Sequence, residues 1–122
     1  MPASYKSPIT SHILDTSRGT PAANVRIELH ALDSVTGQWS LVNHGLTNSD
    51  GRVATALVPE GFVLSPGTYK MVFDTKSYFE QTDVTEYFYP DVAITFLIRR
   101  TDQHYHVPLL INPFGYSTYR GS

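Results

Sequence analysis

The sequence contains no cysteine among its 122 residues. That excludes disulfide stapling, thiol catalysis and thiolate metal sites, and it fits a reducing compartment. A basic excess is also missing: nine Lys and Arg against eleven Asp and Glu leave a formal net charge of −2, which offers no footprint for nucleic acid. No apolar run approaches the roughly 20 residues that span a bilayer, so no membrane segment is expected. There is no Gly-x-Ser-x-Gly elbow, no Gly-rich phosphate loop and no paired-carboxylate signature. The opening "MPASYKSPITS" carries one lysine and no apolar core, unlike a secretory signal. The closing "RGS" does not match a Ser-Lys-Leu peroxisomal address. The cytosol is the expected compartment, with the peroxisome left open.

Period-two alternation fills the space these absences leave. In "NVRIELHAL", Val25, Ile27 and Leu29 face one way and Arg26, Glu28 and His30 the other, as in a half-buried strand with a polar outer face. "TYKMVFD" repeats this with Tyr69, Met71 and Phe73, and "DVAITFLIR" with Val92, Ile94, Phe96 and Ile98. "ITSHILD", "QWSLVNHGL", "GRVATALV" and "HYHVPLLI" are further strand candidates, separated by the turn signals "SRGTPAAN", "DSVTGQ", "TNSDGR", "LSPGT" and "NPFGY". Only "KSYFEQTDVTEYF" suits a helix, of one or two turns, with Tyr78, Phe79 and Val84 against a sheet. The pattern predicts one all-β domain, an antiparallel sandwich or barrel, over residues 9–122, with residues 1–8 as a flexible N-terminal segment. A chain of this length buries roughly two thirds of its unfolded surface and needs no metal to fold.

The candidate chemistry is concentrated near the end, in "HYHVPLLINPFGYSTYRGS". His104 and His106, two apart on a strand, leave the same face with about 6.5–7 Å between their Cα atoms. That spacing suits an open zinc centre with His12 as third ligand, but no acidic cluster or helical His-x-x-x-His pair supports one. His104 reads as a solvent-facing or structural histidine. Pro108 removes a backbone donor, which predicts an edge strand or a bulge there, and edges invite pairing with another chain. The "NPFGY" turn sends Tyr116 to Ser122 back alongside the strand or onto a neighbouring subunit. His12 sits opposite Ile13, and Arg52 follows an ordinary Asp-Gly turn. Tyr119, Arg120 and Ser122 form a terminal polar cluster. From the residues alone the site is a polar group of His, Arg, Tyr and Ser, without a substrate.

Together "SHILDTSRGTPAANVRIEL", "DGR", "YKMVFDTKSYF" and "HYHVPLL…PFGYSTYRGS" resemble the transthyretin-related family, and within it the 5-hydroxyisourate hydrolase branch. The resemblance runs from about Ile9 to Ser122, and the closing "YRGS" is its most specific element. Asn112 departs from it, since the family more often has serine before this proline. The resemblance implies a two-sheet, transthyretin-like sandwich of about eight strands with one short helix. It also implies a homotetramer with active sites at the dimer–dimer interface. The implied reaction is hydrolysis of 5-hydroxyisourate to 2-oxo-4-hydroxy-4-carboxy-5-ureidoimidazoline, without cofactor or metal, in urate breakdown.

By the same resemblance, His12, Arg52, His106 and Ser122 are the expected catalytic residues, with His12, Arg52 and Tyr119 contacting substrate. His106 is expected to deprotonate water with His12 as partner or proton donor; the division between them is open. Arg52 is expected to grip the carbonyl and urea-like edge. Tyr119 and Ser122 would bond the remaining polar edge, and the Ser122 carboxylate would favour a protonated histidine. Two rival readings share the fold: a carrier of hydrophobic hormone-like ligands, and a non-catalytic interaction module.

Overall fold

Alternating side chains divide the strands into an inner and an outer face, and the inner faces of two sheets make the core. The computed structural model describes residues 5–122. In chain order the elements are β1 (Ile9–Asp15), β2 (Thr20–Pro21), β3 (Arg26–Leu32), β4 (Trp39–Leu46), β5 (Gly67–Phe73), α1 (Thr75–Gln81), β6 (Val92–Ile98), β7 (Tyr105–Asn112) and β8 (Gly115–Thr118). One sheet has the order β2-β1-β7-β8 and the other β4-β3-β5-β6. Ile9 and Ile13 of β1 and Leu109 and Ile111 of β7 meet Ile27, Leu29, Met71 and Phe73 of the second sheet in one buried cluster. Each such side chain, fully buried, contributes about 1.5–3 kcal/mol.

The expected sandwich is present, with one departure from antiparallel pairing: β1 runs parallel to β7, with Thr10 beside His106 and His12 beside Pro108. That pairing places the even-numbered residues of both strands on one outer face, which carries the site. The helix is the single predicted one. Asp74 caps it by accepting from the Ser77 amide at 3.1 Å and the Ser77 hydroxyl at 2.8 Å, and Tyr78 and Phe79 are buried.

Three expectations need correction. "GRVATALV" forms no strand, only the bridges His12–Arg52 and Thr47–Val53. Leu57 and Val58 are both buried, and consecutive residues of a pleated strand cannot both face inward. Side chains satisfy this backbone instead: Asn43 donates to Ala56 O at 2.9 Å, Tyr5 donates to Val58 O at 2.8 Å, and Ser7 Oγ accepts from Val58 N–H at 3.1 Å. Of the expected 1–8 segment, residues 1–4 lie outside the described residues, and Tyr5 and Ser7 make the bonds just named. The second is β2, which lies inside the "SRGTPAAN" turn signal yet pairs with β1 through Leu14–Pro21 and Asp15–Thr20.

Pro108 is the third. It lies in β7, which is interior to its sheet and not an edge. Alternate residues of β7 bond to opposite neighbours: Tyr105 N–H reaches Pro8 O on the β1 side, and His106 O accepts from Gly121 N–H on the β8 side. Pro108, two residues beyond His106, therefore has its missing donor turned toward β8. There the ladder stops after Leu109–Thr118 and resumes in the same register only at the His106–Gly121 bridge. The Thr118 hydroxyl takes the Pro108 carbonyl at 2.7 Å. The proline thus interrupts the ladder and releases Tyr119 and Arg120 from it.

Candidate active site

The interruption at Pro108 and the parallel β1–β7 pairing together shape a cleft of about 400 Å³ lined by Thr10, His12, Arg52, His104, His106, Tyr119, Gly121 and Ser122. All five sequence candidates, His12, Arg52, His106, Tyr119 and Ser122, line it. The structure adds Thr10, His104 and Gly121.

His12 and His106 leave the same outer face because they sit on even positions of adjacent parallel strands. Arg52 reaches them from the Asn48–Arg52 turn. Asn48 closes that turn: its side chain accepts from Asp50 N–H at 2.9 Å and Arg52 N–H at 3.2 Å, and its own N–H donates to Arg52 O at 2.8 Å. Gly51 then docks the turn on β1 by accepting from Ile13 N–H at 2.9 Å. Its φ of +76° favours glycine, and a Cβ there would collide with the Ile13 carbonyl oxygen. The Asp-Gly pair, read from the sequence as turn chemistry alone, is what brings Arg52 opposite His12.

Gly121 plays the matching part for His106. A Cβ on it would stand 2.6 Å from His106 Cδ2 and 3.2 Å from Pro108 Cγ, so only glycine lets the tail lie flush on that ring. Neither glycine carried a sequence signal beyond its turn or its place in "YRGS". Arg120 turns away from the cleft. Its guanidinium lies 4.5 Å over the Tyr105 ring and donates to Gln103 Oε1 and His104 O, both at 3.2 Å, which holds the segment bearing His104 in place.

His104, expected to be solvent-facing or structural, is exposed and also joins the cleft. Its Nε2 lies 2.8 Å from Thr10 Oγ1, and the same oxygen lies 2.8 Å from His106 Nδ1. His106 is half-buried. Burial first, then the neighbouring Arg52, His104 and His12, hold its imidazole below the usual histidine pKa. A neutral imidazole near a guanidinium in a polar cleft can take a proton from water while the cation stabilises developing negative charge. Among the described residues, no three His, Cys, Asp or Glu side chains are grouped to hold a metal ion.

A larger hollow of about 510 Å³ opens on the other side of Tyr119, between β6 and β7–β8. It is bigger and its surface is mostly apolar, with Ile94, Phe96, Leu97 and Val107 beside Arg99, Arg100 and Arg120, but of the five sequence candidates it meets only His106 and Tyr119 and does not bring His12 and Arg52 to them.

The chain is similar to known proteins over most of its length. The model of the HIUase/Transthyretin family matches residues 9–121. A Mus musculus protein named 5-hydroxyisourate hydrolase is 42% identical over 120 residues, covering 98% of this chain and 99% of its own. The solved structure of Klebsiella pneumoniae 5-hydroxyisourate hydrolase superposes with a TM-score of 0.75 at 35% identity, over 93% of this chain and 98% of that one. Transthyretin from Sparus aurata superposes with a TM-score of 0.85 at 29% identity, over 95% and 97%.

Proposed function

The chain belongs to the HIUase/transthyretin family, and from that membership we infer that it is an enzyme that hydrolyses 5-hydroxyisourate in urate degradation. The observation that carries this reading is the cleft in which His12, Arg52, His104 and His106 converge with Tyr119 and Ser122. A carrier of hydrophobic ligands needs an apolar channel and no proton-transfer groups, which is the opposite of this lining. An interaction module needs no such convergence at all.

In the reaction, water attacks the C6 carbonyl of the ring and the N1–C6 bond opens. His106 takes the proton of the attacking water at Nε2, since its Nδ1 is occupied by Thr10. Arg52 binds the carbonyl and stabilises the charge that develops on its oxygen. His12, beside Arg52, orients the attacking water. Tyr119 and Ser122 close the polar edge of the ring. Proton transfer of this kind contributes about 10²–10⁴-fold.

The proposed assembly is a homotetramer with the clefts at the dimer–dimer interface. Supporting it, Leu97 on the β6 edge is 53% exposed, and Phe88 and Phe114 near the β8 edge are 68% and 64% exposed. Apolar side chains beside open strand edges suit burial against another subunit. The reading also takes residues 9–122 as the hydrolase domain. Among the described residues no helix is long and apolar enough to cross a membrane.

The test is direct. Urate oxidase generates 5-hydroxyisourate in the cuvette, and its ultraviolet absorbance is followed with and without the protein. Acceleration above spontaneous decay is expected. Decay at the spontaneous rate, at any protein concentration, contradicts the enzyme reading.

A further inference from the structure

Thr10 stands between two imidazoles. Its Oγ1 lies 2.8 Å from His104 Nε2 and 2.8 Å from His106 Nδ1, and the two rings are nearly parallel, 19° apart with centroids separated by 6.4 Å. These two nitrogens are the hydroxyl's hydrogen-bond partners among the described residues. A hydroxyl has one proton, so it donates to one ring and accepts from the other. The chain therefore has two directions. In the first, His106 Nδ1–H donates to Thr10 and Thr10 donates to His104, which leaves His106 Nε2 as a lone pair. In the second, every bond is reversed and His106 Nε2 carries the proton.

We propose that Thr10 and His104 act with His106 as a reversible hydrogen-bonded chain, whose direction decides whether His106 Nε2 accepts a proton in the cleft or donates one. The proposal rests on the hydrolase reading of the same cleft. Thr10 is a positioning residue in it, and His104 is the residue that stores a proton.

The protons balance over one turnover. As the water oxygen bonds to the ring carbonyl carbon, a water proton passes to His106 Nε2. The Nδ1 proton of His106 moves to Thr10 Oγ1, and the Thr10 proton moves to His104 Nε2. The positive charge then rests on His104, which within the subunit is more open than half-buried His106. When the carbon–nitrogen bond breaks, His106 Nε2–H gives its proton to the departing nitrogen. The proton on His104 returns along the same path, and the protein ends as it began.

Two features outside the chain fit this use. Arg120 donates to the His104 carbonyl at 3.2 Å, holding the outer end. Gly121 lies flush against the His106 ring, holding the inner end. The tail thereby fixes both rings at hydrogen-bonding distance from one hydroxyl.

The test uses the full chain with Thr10→Val, Thr10→Ser, His104→Phe and the Thr10→Val/His104→Phe double variant. Valine keeps the β-branched shape of threonine and removes only the hydroxyl's bonds. Thr10→Val is expected to lower kcat at least about tenfold with KM changed less than about threefold, and Thr10→Ser to restore most of the rate. The double variant is expected to be no slower than the worse single variant, because each breaks the same chain. Independent of activity, nitrogen-resolved NMR of the neutral imidazoles is expected to show His106 protonated at Nδ1 in the unmodified protein and shifted toward Nε2 in Thr10→Val.

Additive losses in the double variant, or a His106 tautomer that Thr10→Val leaves unmoved, would overturn the proposal. Should the unmodified protein fail to accelerate decay of 5-hydroxyisourate, the hydrolase reading falls, and the tautomer measurement still decides whether the chain exists.

Discussion

Arg52 faces His12 across a single antiparallel bridge, and no longer ladder supports it. Gly51 makes the contact, with its carbonyl on Ile13 N–H at 2.9 Å and its φ at +76°. The site's one guanidinium is thus held by a backbone conformation that L side chains rarely adopt. Gly51→Ala should therefore cost about 1–3 kcal/mol of stability and displace Arg52. Thermal unfolding together with kcat/KM measures both losses; an alanine variant with unchanged activity would show that Arg52 does not depend on this turn.

Gly121 differs, because its backbone is outside the left-handed region. Alanine there adds no backbone strain but pushes on His106 and Pro108. Gly121→Ala should lower kcat/KM by about 10²-fold through a small displacement of the ring, with a stability cost of about 1 kcal/mol from the crowding of His106 and Pro108. Parallel denaturation and rate measurements separate the two effects.

His106 should titrate below the usual histidine value of about 6.5, because burial and then Arg52, His104 and His12 disfavour its charged form. Its neutral, proton-accepting form then persists into mildly acidic solution. Folding linkage has the matching sign: the unfolded chain binds more protons between the two pKa values, so this histidine's contribution to stability falls as pH drops below about 6.5 and levels off beneath the folded value. NMR titration of the ring proton gives the midpoint, and Arg52→Met should move it upward. A midpoint above the ordinary value would contradict the described surroundings.

Tyr78 provides a contrast between fold and function. Its hydroxyl donates to Asp15 Oδ2 at 2.7 Å in the interior. Burial and then Asp15 push the phenol well above its ordinary pKa. Asp15, 1% exposed, also accepts from the Ser17 hydroxyl at 2.6 Å and the Ser17 amide at 3.0 Å. Tyr78→Phe should cost about 1–3 kcal/mol and leave kcat unchanged below the unfolding temperature, as chemical denaturation beside the absorbance assay would show.

Much of this was legible in the chain. Period-two alternation located Val25, Ile27, Leu29, Tyr69, Met71 and Phe73 in the core, and resemblance in "SHILD", "DGR" and "YRGS" assembled His12, Arg52, Tyr119 and Ser122 with His106. Alternation is the same in parallel and antiparallel strands, so the β1–β7 direction was hidden. Pro108 reads as an edge residue because the sequence cannot show which neighbour its missing donor faces. Thr10 belongs to no motif in the sequence, and its partners lie 94 and 96 residues away. Gly51 and Gly121 matter for what approaches them, which only the fold reveals.

The most direct test compares His106→Asn with the unmodified protein in the decay of freshly generated 5-hydroxyisourate, with circular dichroism and sedimentation confirming that fold and assembly are retained. The unmodified protein should accelerate decay, and His106→Asn should be slower by at least about 100-fold. An asparagine variant as fast as the unmodified protein would contradict the assignment of the chemistry to this cleft.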